Sequence, residues 1–416
     1  MSPDFSISDS DVAIIRGLAE RVASVAALPV QEERRRLWKA HNALRGERPM
    51  ILLFPEGGWE ELLPKSALAC ESEPAREIEW SLRNRIYHHE HFADDTVIEG
   101  EWLVRKAIES SGWGLEPRRH QSTEARGAWA FAPVLNSRDD IRKLTIPRVT
   151  HNAEETTRRV AFAERLFDGI FPVREVGVAH ISYHLMQQYT YLRGLEQMMV
   201  DMFDAPDILH DTMRFLTDAH KDVLRQYQEL NVLSLNNDGT YHSSGGVGYT
   251  DELPAPGFRP GTVRPEDMWA SAESQELAGV GPAQHEEFAL QYERELLEPF
   301  ALTGYGCCEP LTDRLDHVFS IPGIRRLSIS PFADVRLAAE GLGDRYIFSW
   351  KPRPMDLVGS FSEERIRAYI RNTIELAAAN SCVLEMILKD THTCENHPER
   401  FDRWANIARE EVEHAG

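Results

Sequence analysis

Residues 302–310, with the sequence LTGYGCCEP, place two adjacent thiols and a carboxylate at the end of a short apolar run. Side chains alternate along an extended chain with a period of two, so Tyr305, Cys307 and Glu309 are expected on one face. A second polar cluster, residues 390–395 with the sequence DTHTCE, follows another apolar run. Thiolate, imidazole and carboxylate are the groups that bind zinc. The two clusters therefore predict a metal site built from two strand ends.

Apolar or β-branched runs recur along the chain as candidate strands. They are residues 50–54, 176–183, 232–236, 268–272, 301–306, 326–330, 346–350 and 382–388. Most of the intervals between them carry segments with a helical period, such as 206–229, 283–297 and 363–379. Strands that alternate with helices in this way predict an α/β fold, the TIM (β/α)₈ barrel. We expect an N-terminal helical extension over residues 1–46 and one barrel domain over residues 47–416.

In such a barrel the working residues follow the ends of the strands. The residues at these positions, most of them polar, are expected to line the pocket: Glu56, His184, Asn236, Asn237, Asp238, Glu273, Gln275, Cys307, Glu309, Pro331, Lys351, Asp390 and His392. The candidates for substrate binding are Tyr183, Asn237, Tyr249, Tyr305 and Trp350. Residues 249–265 are rich in Gly and Pro and predict a loop over the barrel mouth. Ordinary packing in the core explains a buried Trp or Cys equally well.

Charge and length restrict the class of protein. The formal net charge of −21 leaves no basic surface for phosphates, so we expect no nucleic-acid partner. We expect no membrane span, because no run of about 18 apolar residues occurs. The first residues, MSPDF, lack the basic and apolar segments of a secretory signal, and five cysteines in 416 residues do not suggest a disulfide scaffold. A cytoplasmic location is the expectation.

Several segments of the chain together resemble the uroporphyrinogen decarboxylase superfamily. They are YLRGLE at 191–196, DMFDAPD at 201–207, the helical segment 283–299 before the cysteine-bearing strand, and LSIS at 327–330. The chain looks most like the branch that contains corrinoid-dependent methyltransferases. The resemblance covers residues 173–416, with a matching first strand at 50–54. It implies a TIM barrel and, for this branch, a zinc ion that binds a thiol near a corrinoid held on a separate small protein.

The resemblance also implies where the zinc ligands lie. Relatives in the methyltransferase branch present His-x-Cys after the fifth strand and another Cys after the eighth. Cys307 matches the first cysteine, but Tyr305 stands at the position of the histidine. After the eighth strand the chain offers Asp390, His392 and Cys394, without a clean one-to-one match to the second cysteine. The implied alternatives are no metal, or zinc with the altered ligand set Cys307, Glu309 and His392.

Three functions remain open from the sequence. The leading interpretation is a zinc-dependent methyltransferase that moves a methyl group between a corrinoid, or a methylated small molecule, and a thiol or similar acceptor. Zinc lowers the pKa of a bound thiol in such a reaction. The alternative is a metal-independent decarboxylase or lyase for a small carboxylic acid, with His184, Asp238 and Lys351 as acid–base groups. The third is a noncatalytic barrel that binds a metal or ligand.

Replacement of Cys307 by serine is expected to remove most of the bound zinc and to leave the barrel folded. A catalytic metal in a pre-built barrel contributes less to folding than the metal of a small zinc domain. Metal analysis after zinc-supplemented growth, together with circular dichroism, measures both properties. Full metal occupancy in the variant, or a metal-free wild-type protein, contradicts the zinc interpretation.

Overall fold

The computed structural model of the chain describes residues 7–120, 130–242 and 245–415. Its helices are α1 Asp9–Ala26, α2 Pro29–Asn42, α3 Trp59–Leu62, α4 Glu73–His91, α5 Ala153–Leu166, α6 Leu185–Arg193, α7 Leu195–Asp204, α8 Pro206–Glu229, α9 Pro282–His285, α10 Gln291–Leu297, α11 Leu315–Val318, α12 Val335–Leu342, α13 Glu363–Ala379 and α14 Glu399–Ala415. Its strands are β1 Met50–Leu53, β2 Trp102–Arg105, β3 Ile108–Ser110, β4 Arg118–His120, β5 Ala130–Ala132, β6 Val149–His151, β7 Val173–Val176, β8 Ser182–Tyr183, β9 Trp269–Ala272, β10 Leu302–Tyr305, β11 Ile324–Ile329, β12 Ile347–Trp350 and β13 Val383–Leu388. None of these helices is long and apolar enough to cross a membrane.

The described strands include one seven-stranded sheet in the order β1-β13-β12-β11-β10-β9-β8. Its β1–β13, β13–β12, β11–β10, β10–β9 and β9–β8 pairs are parallel. The α/β class is therefore confirmed. The closed eight-stranded barrel is not shown, because the expected strand at 232–236 makes only an isolated parallel bridge between Leu233 and Val178.

The chain divides into two compact units. The first contains the described residues up to Ala107, Asn152–Val176, and the described residues from Leu342 onward. The second contains Ile108–His151 and Gly177–Gly341 as far as they are described. The segment expected as an N-terminal helical extension forms α1 and α2 of the first unit.

Helix α1 begins where the sequence predicts it. The hydroxyl of Ser8 accepts a hydrogen bond from the backbone N–H of Asp11 at 3.0 Å and so caps the first turn. The apolar face of the helix buries Ile15 and Leu18 in one cluster with Leu82 of α4. This burial, more than helix propensity, stabilises a helix of this length.

Two aspartates bind the edge of β1 that does not pair with β13. The Ile51 N–H donates to Asp95 Oδ2 at 2.9 Å, and the Leu53 N–H donates to Asp94 Oδ2 at 3.1 Å. The Asp95 N–H in turn donates to the carbonyl of Ile51 at 2.8 Å. A buried strand needs a partner for each of these groups. Here carboxylates fill positions along an edge where a second barrel strand was expected.

Arginines hold Asp95 in place. Arg48 donates to both of its oxygens, at 2.9 and 2.7 Å, and Arg409 Nη2 donates to Oδ1 at 2.7 Å. The aspartate is 1% exposed. Burial alone raises the pKa of Asp95, but the bonds from Arg48 and the charge of Arg409 outweigh it and hold the pKa below its usual range.

In the second unit, register brings three strand ends together. Tyr183 of β8 lies opposite Ala272 of β9, and Ala272 lies opposite Tyr305 of β10. The strands are parallel, so the residues that follow these three positions leave the sheet at one edge. That edge positions the candidate site.

The loop at residues 249–265 lies at the other end of the same strands, so its prediction as a lid over the C-terminal ends is wrong. Leu253 packs against Trp269 and Leu302, the first residues of β9 and β10. Glu252 pairs with Arg325 at the start of β11, at 2.8 and 2.9 Å. An apolar anchor and an ion pair thus hold the loop at the N-terminal ends of the strands.

Replacement of Asp95 by asparagine is expected to lower the free energy of unfolding at pH 7 by about 3 kcal/mol, because it leaves two arginines without a buried counter-charge. The Asp95 pKa is depressed in the folded state, so its contribution is present above the unfolded pKa and is lost as pH falls through the folded pKa. Urea unfolding at several pH values measures both effects.

The matched control is Glu90→Gln, whose partner Arg21 and own side chain are 56% and 52% exposed. It should change stability by less than about 1 kcal/mol. Equal effects of the two substitutions would contradict the assigned role of Asp95.

Candidate active site

A histidine and a glutamate meet at the C-terminal ends of β8 and β9. His184 follows Tyr183 and Glu273 follows Ala272, and His184 Nδ1 shares a hydrogen bond with Glu273 Oε1. The second carboxylate oxygen of Glu273 accepts the N–H of Gln275 at 2.9 Å. The His184 side chain is 31% exposed, while that of Glu273 is 1% exposed. The imidazole of His184 is therefore held in one orientation and is partly exposed to solvent, while the carboxyl group of Glu273 that holds it is buried.

Glu309 bridges the ends of β9 and β10. Its Oε1 accepts the N–H of Ser274 at 3.1 Å, and its Oε2 accepts the N–H of Cys307 at 2.9 Å. The side chain is fully buried. Burial first, and the charge of Glu273 second, raise the pKa of Glu309 to about 7.

Glu293 enters the same region from α10. It accepts hydrogen bonds from the Ser274 hydroxyl and from the Tyr305 hydroxyl, both at 2.6 Å. It is fully buried, and this burial raises the pKa of Glu293 well above its ordinary value. Glu293 therefore favours its neutral form more than a solvent-exposed glutamate does.

His285 extends this network at the end of α9. Its Nε2 lies 2.8 Å from the Tyr305 hydroxyl. Because Tyr305 donates to Glu293, its oxygen accepts from His285, which assigns the proton to Nε2. Burial, with Arg314 and His317 nearby, lowers the pKa of His285 to about 3, so the ring is neutral. A π-helical turn, Glu286–Leu290, follows directly, and such turns are frequent at functional sites.

Glu276 places a carboxyl group on the wall of an open cleft. The cleft, of about 610 Å³, is lined by Gln275, Glu276, Ala278, Gly279, Cys308, Pro310 and Phe332. Glu276 Oε2 is buried and has no hydrogen-bond partner in the described structure. Burial first, and the charge of Glu273 second, raise the pKa of Glu276 to about 7. Glu276 is thus poised to gain or lose a proton near neutral pH. The glutamate cluster is Glu273, Glu276, Glu293 and Glu309.

The two adjacent thiols lie beside this cluster. The Sγ atoms of Cys307 and Cys308 are 3.7 Å apart, well beyond the length of a disulfide bond, and both residues are half-buried. Cys308 reaches the cleft, while Cys307 is tied through its N–H to Glu309.

These residues do not form a ready-made zinc site. No group of three or more His, Cys, Asp and Glu side chains in the described parts of the chain is arranged to hold a metal ion. Both oxygens of Glu309 already accept backbone N–H groups. Cys307 and Glu309 belong to the second unit and His392 to the first. The zinc ligand set Cys307, Glu309 and His392 stays a prediction.

Three other predicted residues are not brought to the glutamate cluster. Asn237 Nδ2 donates to the carbonyl of Leu253 at 2.8 Å, at the N-terminal end of β9. Asp238 accepts the N–H and hydroxyl of Thr240 in a local turn, at 2.9 and 2.6 Å. The ring of Tyr249 is buried, 4% exposed.

The remaining predicted aromatic residues are buried. Tyr183 contacts the ring of His220, with centroids 5.4 Å apart, and lines a separate cavity of about 230 Å³. Tyr305 is fully buried within the network of Glu293. In the first unit, Trp350 is fully buried against Tyr369, with ring centroids 4.8 Å apart.

The predicted polar residues of the first unit have separate surroundings. Lys351 is 4% exposed, and its Nζ donates to Ser349 Oγ at 2.9 Å. His392 is exposed, with its backbone next to Gly57 after β1. Of the three proposed acid–base residues, His184 is the one that contacts the glutamate cluster, through its hydrogen bond with Glu273 in the second unit.

Sequence reasoning missed Glu276, Glu293 and His285 as site residues. Glu293 carried a signal, because it lies three residues after Leu290 and three before Leu296, on the apolar face of its helix. A charged residue on that face indicates a buried role. Glu276 carried no such signal, since the fold of the loop after β9 alone positions it.

Comparisons with known proteins add little to this geometry. No family model and no curated protein matches the chain. One similar solved structure is a methyltransferase from Methanosarcina mazei, with 12% sequence identity and a TM-score of 0.37. The similarity covers 64% of this chain and 72% of that one. At this level it does not confirm the uroporphyrinogen decarboxylase superfamily.

Replacement of Glu276 by glutamine is expected to change how stability depends on pH. The carboxyl pKa rises from 4.5 when unfolded to about 7 when folded, so the wild-type protein loses stability as pH increases between these values. Glutamine has no such loss. The variant should therefore gain about 1 to 3 kcal/mol relative to the wild type from pH 4.5 to pH 7, and no more above that.

Chemical denaturation across this pH range measures the difference. Glu298→Gln, at an exposed position after α10, is the control, because its side chain is solvated in both states. Its stability curve should run parallel to that of the wild type. A parallel curve for Glu276→Gln would show that Glu276 does not titrate near neutral pH.

Proposed function

We propose that the chain is an enzyme that transfers a methyl group to a thiol or a similar acceptor, with His184 as the base. The observation that carries this proposal is the hydrogen-bonded pair of His184 and Glu273, in which Glu273 also accepts the N–H of Gln275, a residue that lines an open cleft. A half-exposed imidazole held by a buried carboxylate is an arrangement suited to general base catalysis. The methyltransferase class itself rests on the sequence resemblance.

The glutamate cluster bears on the charge of the substrate. Burial and the charge of Glu273 raise the pKa of both Glu276 and Glu309 to about 7, so additional negative charge is unfavourable here. A carboxylate substrate would meet this same repulsion. A neutral thiol and a neutral or cationic methyl donor would not. The charge therefore disfavours the binding of a small acid in its ionised form.

The proton steps follow from the hydrogen bonds. With Nδ1–H donating to Glu273, His184 Nε2 has a lone pair that takes the proton of the acceptor thiol. Glu273 then stabilises the imidazolium. The thiolate attacks the methyl carbon, a sulfur–carbon bond forms, and the bond between methyl and donor breaks with its electron pair left on the donor. His184 then releases this proton to solvent, to which its side chain is 31% exposed.

Zinc and a corrinoid remain part of the proposal only through the resemblance. A zinc ion supplies Lewis acidity to a thiol when it is bound. The described residues do not form a ready-made site for it, so no step is assigned to zinc. The corrinoid, held on a separate carrier protein, is the proposed methyl donor, and the acceptor is a small molecule.

Methyl transfer from free methylcobalamin to a panel of small neutral thiols tests the proposal. Product formation is followed by mass spectrometry. His184→Asn should lower kcat by about 10² to 10⁴ with little change in KM, because the base acts only in the transition state. Glu273→Gln should lower kcat in the same range and shift the acidic limb of the pH profile, since it removes the charge that supports the imidazolium.

His210→Asn is the matched control. The His210 side chain is 32% exposed, nearly the same fraction as that of His184. It also lies near a carboxylate, with Nε2 3.5 Å from Glu287. Its kcat should equal that of the wild type. Full activity in His184→Asn refutes the assigned base. Release of CO₂ from small carboxylic acids, with no methyl transfer to any thiol, makes the lyase the better function.

A further inference from the structure

The first unit contains a cavity that the proposed methyl transfer does not use. Its volume is about 510 Å³, within the range of small-molecule sites. The apolar part of its lining consists of Trp59, Leu63, Leu68 and Trp80. A cavity with two indole rings in its wall is built for an apolar or cationic group.

The two tryptophans are held at a right angle. Their ring centroids lie 5.9 Å apart with an interplanar angle of 79°. Trp59 is supported by Tyr87, at 5.6 Å and 77°, and by Phe92 at 6.1 Å. Because these contacts fix the indole of Trp59, the aromatic wall is rigid and loses little side-chain entropy when a ligand binds.

The charged residues of the lining are mostly acidic. They are Glu56, Glu60, Glu73 and Glu77, against Lys65 and Arg76. Four negative and two positive charges give a formal net charge of −2. Both basic side chains lie next to Glu73, at 3.6 and 3.9 Å, so the other charged residues of the lining are all glutamates.

The cavity lies next to the C-terminal end of β1. Glu56 follows β1 after two residues, with φ of +49°, a left-handed conformation that is uncommon for a residue with a side chain. Ligands of parallel α/β sheets bind at the carboxyl ends of the strands. The position of the cavity, its aromatic wall and its charge thus all favour the binding of a small ligand that is cationic and partly apolar.

We propose that this cavity binds an organic cation with apolar substituents, of the quaternary ammonium class. The faces of Trp59 and Trp80 attract a cation and also cover its methyl groups. The carboxylates repel an anion and attract a cation, whereas a neutral apolar ligand gains no electrostatic attraction from them. The proposal is independent of the methyl-transfer reaction in the second unit.

Calorimetric titration with choline tests the proposal, with 3,3-dimethylbutanol as the uncharged ligand of the same shape. Choline should bind about 10-fold more tightly than the alcohol, because the two differ only in the charge that the rings and carboxylates attract. Trp80→Leu should weaken choline binding about 10-fold, and Trp80→Phe should restore part of it. Glu77→Gln, at an exposed position that folding tolerates, should weaken it about 3-fold and reduce its salt dependence.

Trp113→Leu is the control, because Trp113 lines a different cavity, in the second unit. Choline affinity should be unchanged in this variant. Equal affinity for choline and the alcohol overturns the cationic ligand class. No detectable binding of choline or tetramethylammonium at millimolar concentration, or full affinity in Trp80→Leu and Glu77→Gln, overturns the site.

Discussion

The candidate site depends on one buried carboxyl group, that of Glu309. Where β9 and β10 end, the N–H groups of Ser274 and Cys307 leave the ladder, and a buried N–H without an acceptor costs free energy. Glu309 accepts both of these hydrogen bonds. It thereby fixes the two chain segments that carry Glu273 on one side and the thiols on the other.

Fixing the strand ends with a carboxyl group has an electrostatic result. Glu273, Glu276, Glu293 and Glu309 share a small volume, and the charge of Glu273 contributes to raising the pKa of the other three. Burial raises the pKa of Glu293 well above its ordinary value, and the pKa values of Glu276 and Glu309 are raised to about 7. The C-terminal edge of one parallel sheet thus provides both the hydrogen-bonded pair of His184 and Glu273 and carboxyl groups whose pKa is raised.

Sequence patterns found most of the strands, because a buried parallel strand is a short apolar run whatever surrounds it. They also found His184, Cys307 and Glu309, which directly follow such runs. The segment 232–236 shows where this reasoning fails. The Asn236 side chain bonds both the N–H and the carbonyl of Trp269, at 2.9 Å each, and so takes the place of a neighbouring strand at the start of β9.

The next residue, Asn237, donates to the carbonyl of Leu253 at the N-terminal end of β9, the opposite end from the glutamate cluster. The spacing of apolar residues in a sequence does not predict which groups an asparagine side chain will hydrogen-bond. The same limit applies to Glu276, whose position results from the turn after β9. Glu293 of helix α10 differs, because it shares the apolar face of the helix with leucines. That position could have identified it as a buried carboxyl group from the sequence.

The aspartates along β1 also affect how molecules of this protein meet one another. An unpaired strand edge is a template on which a strand of another molecule can add, and this is a common route to aggregation. Asp94 and Asp95 occupy donors on that edge with side-chain oxygens, which a foreign strand would have to displace along with two arginine contacts. Side chains of the protein, and not another strand, therefore protect this edge of β1 from pairing with a strand of a second molecule.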